Sequence, residues 1–170
     1  MSKSFGICHR RFRKIVVAAF AITLLFAGKS FAFDLKDTAG QRQRLQDLHG
    51  KWVVVNFWAT WCAPCIKEIP DLAAFAKAEG EKVRVLGVAM DWNDTDKRDA
   101  DEAKIKRFAK KVGLTYPLVL GDDASEKTFG ALTGLPTTIV YDPKGKIVFR
   151  KGGTVTQEML KKIISGEKVF

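Results

Sequence analysis

The chain has 170 residues, 46% hydrophobic and 28% charged. That mixture fits one folded domain with an appendage and excludes wholesale disorder. Three cysteines are too few for a disulfide-built mini-scaffold. The net charge of +10 resembles a nucleic-acid signature, but the placement of the charge argues against that class.

Residues 1–32 carry Lys3, Arg10, Arg11, Arg13, Lys14 and Lys29 and no acid, which leaves 23 basic against 19 acidic residues from 33 onward. The basic stretch ends at Lys14. An apolar run of 14 residues follows over 15–28, broken only by Thr23, short of the roughly 20 residues of a comfortable membrane span. Small residues Ser30 and Ala32 then bracket Phe31. This is the layout of a secretory signal peptide cleaved after Ala32, with an uncleaved anchor as the other reading. No cysteine follows the run, so a lipoprotein is excluded. Arg10-Arg11 is a weak twin-arginine hint, since basic pairs here commonly set membrane orientation. Membrane contact is expected only through 15–28, and only if the segment is retained. The expected location is periplasmic or extracytoplasmic. Cleavage removes Cys8 and His9 and leaves Cys62, Cys65 and His49 over 33–170.

From residue 33 the chain reads as one domain, 33–170, without repeats or linkers. Residues 33–45 are expected to form a short hairpin around Thr38-Ala39-Gly40. Residues 51–58, with Val53, Val54, Val55, Phe57 and Trp58, predict a buried strand. Residues 63–78 predict a helix with Ile66, Ile69, Leu72, Ala73 and Ala76 near one face, kinked by Pro70 and ended by Gly80. A second buried strand over 83–90 leads into a polar loop over 91–101. Ile105, Phe108, Ala109 and Val112 mark an amphipathic helix over 99–112, stopped by Gly113. A short strand over 116–120 and a short helix over 125–132 follow. Strands over 137–141 and 147–151 are joined by Asp142-Pro143-Lys144-Gly145, a type I turn pattern. Thr154 and Gln157 are expected to form a capping box, and Met159, Leu160, Ile163 and Ile164 give the last helix its apolar face. Alternating strands and helices imply parallel pairing with crossovers, and the final turn implies antiparallel pairing. The fold class is α/β, with a mixed sheet flanked by helices on both faces.

Chemistry concentrates at Cys62-Ala63-Pro64-Cys65, where strand meets helix. Two cysteines at this spacing and junction form a redox arrangement. Unsatisfied N–H groups at a helix N-terminus favour a thiolate, so Cys62 is expected to be the exposed nucleophile, with Cys65 one turn in as the resolving thiol. Pro64 is tolerated in the first turn, and Trp61 stands where it would shield the pair. A zinc site needs three or four ligands, and after maturation only His49 remains to join the pair, so neither a metal nor another cofactor is expected. A plain structural disulfide is the bland alternative, though so small a loop stabilises little.

The run Asn-Phe-Trp-Ala-Thr-Trp-Cys-Ala-Pro-Cys at 56–65, Glu68 and Pro70 after it, and Gly134-Leu135-Pro136-Thr137-Thr138 resemble the thioredoxin superfamily. More narrowly, nearly all of 33–165 resembles exported TlpA/ResA-like thiol-disulfide oxidoreductases, which include reductants of cytochrome c maturation. The resemblance implies a thioredoxin-like fold with an extra N-terminal hairpin and a central insertion over 91–120. It implies a cis bond before Pro136. It also implies a substrate surface made of Trp61, Ala63, Pro64, Leu135, Pro136 and Thr137, holding a substrate strand by backbone hydrogen bonds. Implied partners are a protein disulfide such as apocytochrome c and a membrane electron donor that restores the dithiol. Asn56 departs from the pattern: thioredoxin carries a buried, proton-accepting Asp there. Glu68 is the substitute candidate and the third catalytic residue, against the plain reading of a surface glutamate favoured by the helix dipole.

Rival functions are a copper-handling protein, whose thiolates bind Cu(I) or reduce a partner's copper-site cysteines, and a thiol peroxidase, which would use an isolated cysteine supported by Arg. His49 reads as a loop residue. The acids of 91–101 lack the glycine of a calcium loop. The lysines of 104–111 read as a solvated helix face, and Trp52, Trp58 and Trp92 as core or rim residues rather than a nucleic-acid platform. Gly152-Gly153 reads equally as groove lining or as a strand end.

Overall fold

The run of β-branched and aromatic residues after Lys51 becomes the middle strand of the sheet in the computed structural model, which describes residues 33–91 and 98–167. The signal or anchor segment 1–32 and Trp92 lie outside the described residues. The element order is β1 (Asp34–Lys36), β2 (Arg42–Arg44), a 3₁₀ turn (Leu45–Leu48), β3 (Trp52–Trp58), α1 (Ala63–Ala78), β4 (Val83–Ala89), α2 (Arg98–Lys111), β5 (Leu118–Leu120), α3 (Asp123–Phe129), β6 (Thr137–Tyr141), β7 (Ile147–Gly152) and α4 (Gln157–Ser165).

The five-stranded sheet has the order β5-β4-β3-β6-β7, with β1 and β2 as a separate hairpin. β3 pairs parallel with β4, and β4 with β5; β3 pairs antiparallel with β6, and β6 with β7. The mixed sheet expected from the alternation is therefore present. The Asp142 turn explains the antiparallel end: Gly145 N–H donates to Asp142 O at 2.9 Å, and Asp142 Oδ1 accepts from Lys144 and Lys146 N–H. In the hairpin, Asp37 accepts from the amides of Ala39 and Gln41. Thr38 N–H donates to Leu118 O at 2.8 Å, tying the hairpin to β5.

Side chains alternate across a strand, so β3 divides the core in two. Val53, Val55 and Phe57 face Phe33, Leu45, Leu48, Phe129, Ile139 and Tyr141. Val54 faces Leu72 and Phe75 of α1 and Leu160 and Ile163 of α4. Trp58 packs with Cys62, Cys65, Ile69 and, from α2, Ile105 and Ala109. Helices thus cover both faces.

Three local expectations are corrected. The last helix is capped by Thr156, whose hydroxyl accepts from Met159 N–H, not by Thr154 with Gln157. Val155 precedes the cap, its side chain buried and its N–H bound to Glu68. α1 closes at Glu79, whose N–H donates to Phe75 O at 3.0 Å; Gly80 lies one residue beyond. α3 starts before Ser125 because Asp122 is its N-cap, in a reciprocal capping box with Ser125. Among the described residues, no helix is long and apolar enough to cross a membrane.

Candidate active site

β3 runs out at Trp58, and residues 59–62 turn into α1. Cys62 N–H donates to Ala59 O at 3.1 Å. Asp91, just past β4, holds the same turn, accepting from both the amide and the hydroxyl of Thr60. Cys62 is the N-cap of α1, and its Sγ accepts from Cys65 N–H at 3.3 Å. A sulfur in this place meets the free N–H groups and positive end of the helix, which favour thiolate over thiol. Pro64 sits in the first turn, where its missing N–H leaves no bond unmade.

Cys62 and Cys65 are joined by a disulfide, with their Cα atoms 5.3 Å apart. Cys65 is fully buried and Cys62 is only 5% exposed. The expectation of an openly exposed Cys62 is corrected: Cys62 belongs to the apolar cluster of Trp58, Ala59 and Ile69, against which Leu135 packs. Trp61 itself is 70% exposed. Trp61, Ala63 and Pro64 form an exposed rim beside the disulfide, and Leu135 is half-buried.

The Leu135–Pro136 peptide bond is cis. Pro136 O accepts from Gly153 N–H at 2.8 Å, so Gly153, with φ +90° and one residue past β7, anchors the loop. Thr137 does not present its side chain outward: it is buried, and its hydroxyl donates to Gly134 O at 2.6 Å. Arg150 holds the approach to this loop, its guanidinium donating to the carbonyls of Phe129, Gly130 and Ala131. His49 stands at the other end of β3, beside the turn at Gly145.

Glu68 is buried, 3% exposed, on the inner face of α1, and the surface-glutamate reading is thereby set aside. Its Oε1 accepts from Asn56 Nδ2 at 2.7 Å, and its Oε2 accepts from Val155 N–H at 2.8 Å. Asn56 Nδ2 also donates to Thr138 Oγ1 at 3.1 Å. Burial raises the proton affinity of Glu68 above that of an ordinary carboxylate. The Val155 amide, the Asn56 amide and the Lys151 charge pull it back, and Asp71 adds to the rise.

Among the described residues, three buried side-chain atoms have no hydrogen-bond partner: Asn56 Oδ1, Trp58 Nε1 and Tyr116 Oη. Such atoms are uncommon in dry cores. Asn56 pairs in register with Gly87, and a Cβ there would come within 2.9 Å of the Tyr116 ring and 3.3 Å of Trp58 Nε1. Only glycine lets these rings close over the strand. Sequence reasoning missed Thr138, Val155, Tyr116 and Asp91 as parts of the site. The one signal for such a seam was Asn56, a lone amide in an apolar strand.

Residues 27–150 match the AhpC/TSA family. The thiol-disulfide oxidoreductase ResA of Bacillus subtilis (strain 168) is 34% identical over 160 residues, covering 86% of this chain and 84% of that one. The crystal structure of a thiol:disulfide interchange protein of the thioredoxin family from Chlorobium tepidum TLS superposes with a TM-score of 0.67 at 27% identity, covering 79% of this chain and 92% of that one. StoA from Bacillus subtilis superposes with a TM-score of 0.63 at 27% identity, covering 77% of this chain and 94% of that one.

Proposed function

The chain belongs to the AhpC/TSA family, is a thiol-disulfide oxidoreductase with a thioredoxin-like fold, and on that footing we propose that it is an exported reductant of protein disulfides. One observation carries this reading: Cys62, the N-cap of α1, is disulfide-bonded to Cys65 beneath an exposed rim of Trp61, Ala63 and Pro64. An apolar rim around a nearly buried sulfur suits a polypeptide laid across it better than a small thiol. The half-buried Leu135 and the cis-Pro136 loop extend that landing surface.

In the reduced protein, the Cys62 thiolate attacks one sulfur of the substrate disulfide. The substrate S–S bond breaks, a mixed disulfide forms, and the departing substrate thiolate takes up a proton. Glu68, one turn beyond Cys65 on the buried face of α1, accepts the Cys65 proton. The Cys65 thiolate then attacks Cys62 Sγ, the mixed disulfide breaks, and the second substrate thiolate leaves and is protonated. The substrate has gained two electrons and two protons, and the Cys62–Cys65 disulfide has formed. A dithiol carrier in the membrane returns two electrons, as an oxidising compartment requires. Residues 1–32 serve as the export signal or anchor, and 33–170 as the working domain. The resemblance to cytochrome c maturation reductants makes apocytochrome c, with its paired cysteines, the first substrate to try.

The reduction potential of the Cys62–Cys65 pair tests the direction. A value near roughly −270 mV, that of thioredoxin, is expected. A value near roughly −120 mV, the strong-oxidant end of the scale, overturns the reductant reading in favour of disulfide formation.

A further inference from the structure

The sheet row that holds Asn56 continues across two more strands. Asn56 pairs with Thr138, and Thr138 pairs with Lys151, so all three side chains leave the sheet toward α1. Lys151 is half-buried, and its Nζ donates to Thr154 O at 3.0 Å. The N–H on the other side of that same peptide group, that of Val155, donates to Glu68 Oε2 at 2.8 Å. One peptide group therefore carries an ammonium on its oxygen and a carboxylate on its N–H. Amide resonance links the two ends: a cation at the oxygen draws electron density from nitrogen and strengthens the N–H as a donor.

The geometry points to Lys151 as a residue that tempers the proton affinity of Glu68, acting through the Thr154–Val155 peptide group. Lys151 is a positioning residue, since it meets the carboxylate only through that group and through space. The inference rests on the reading of Glu68 as proton acceptor for Cys65, and it names what tunes that acceptor. The Lys151 charge lowers the proton affinity of Glu68 while burial raises it.

Other groups face Glu68 with different consequences. Asp71, on α1 itself, opposes Lys151. Cys65 lies one turn before it on the same helix. Tyr116, ahead of β5, stays a neutral phenol because burial and Glu68 both hold its proton. Asn56 of β3 and Thr138 of β6 are neutral. On α4, Glu158 and Lys162 pair with each other at the surface, 2.8 Å apart. Lys151 is thus the one cation that acts on this carboxylate among the charges named.

The test uses the full-length oxidised protein with carbon-13 in its glutamate carboxyls, titrated by NMR; the Glu68 signal is identified by its loss in Glu68→Gln. Lys151→Gln keeps a donor and deletes the charge, Lys151→Arg keeps both, and Lys151→Met serves as a second charge deletion if the Gln variant misfolds. Losing the charge is expected to raise the Glu68 midpoint by roughly one pH unit, with Arg leaving it near wild type. The pH profile of protein-disulfide reduction should move with it. An unchanged midpoint in the charge-deleted variant overturns the inference. A midpoint that moves, with a reduction profile indifferent to Glu68→Gln, upholds the coupling and overturns the proton-acceptor role.

Discussion

The two faces of β3 are built from neighbouring residues and do opposite things. On one, Val53, Val55 and Phe57 meet Phe33, Phe129 and Tyr141, with Phe57 and Phe129 ring centroids 5.1 Å apart. On the other, Val54, Asn56 and Trp58 lie under α1, where a buried carboxylate and three unpaired polar atoms are enclosed. The first face contributes stability by removing apolar area from water. The second holds a carboxylate where burial disfavours its charge, so Glu68 keeps its proton more tightly than a solvated glutamate. One strand serves both because its side chains alternate.

The largest effect tests the reactive end of the polar face. Cys62→Ser should bring protein-disulfide reduction to the background rate, while Cys65→Ser should accumulate a mixed disulfide visible by non-reducing electrophoresis. A Cys62→Ser protein that still turns over would remove the chemistry from this pair. The apolar face should answer differently. Phe57→Ala, which opens a cavity among fully buried rings, should lower unfolding stability by about 3–5 kcal/mol in urea titration. The exchange rate of the remaining folded molecules should hardly change; a large change there would erase the division between faces.

The smallest effect is the most specific. Burial makes Glu68 hold its proton more tightly in the folded chain than in the unfolded one, whose ordinary value is 4.5. Stability is therefore greatest below that value and falls as pH rises through the raised folded midpoint. The loss is about 1.4 kcal/mol for each pH unit separating the two. Glu68→Gln should flatten this slope and match or exceed wild-type stability above the midpoint, while slowing resolution of the mixed disulfide. A stability difference between the two proteins that stays constant from acid to neutral pH would mean that Glu68 is solvated after all.

Much of this organisation was legible in the residue order. The β3, β4 and β6 runs stood out as β-branched, α1 as periodic behind its cysteines, and the β6–β7 turn as Asp-Pro-Lys-Gly. Errors fell at ends and surfaces. The Thr154–Gln157 pairing looked like a cap, but the Thr154 carbonyl is taken by Lys151 and the Val155 N–H by the distant Glu68, leaving Thr156 to begin α4. The buried Thr137 side chain was not legible either: its hydroxyl turns back to Gly134, which leaves only the backbone of this residue for a substrate strand.

Residue order alone dictated what depends on near neighbours: the alternation of the strands, the helical faces, and a Cys-Ala-Pro-Cys spacing that holds two sulfurs within bonding reach on one helical turn. It could not show the partners of Glu68. Asn56 lies 12 residues away and Val155 lies 87 away. Lys151 reaches the site only because β7 pairs with β6, and β6 with β3, in one register. A glutamate near a helix start is solvated by default. Only the closing of α1, β3 and the Val155 segment around it removes the water, and that removal changes its chemistry.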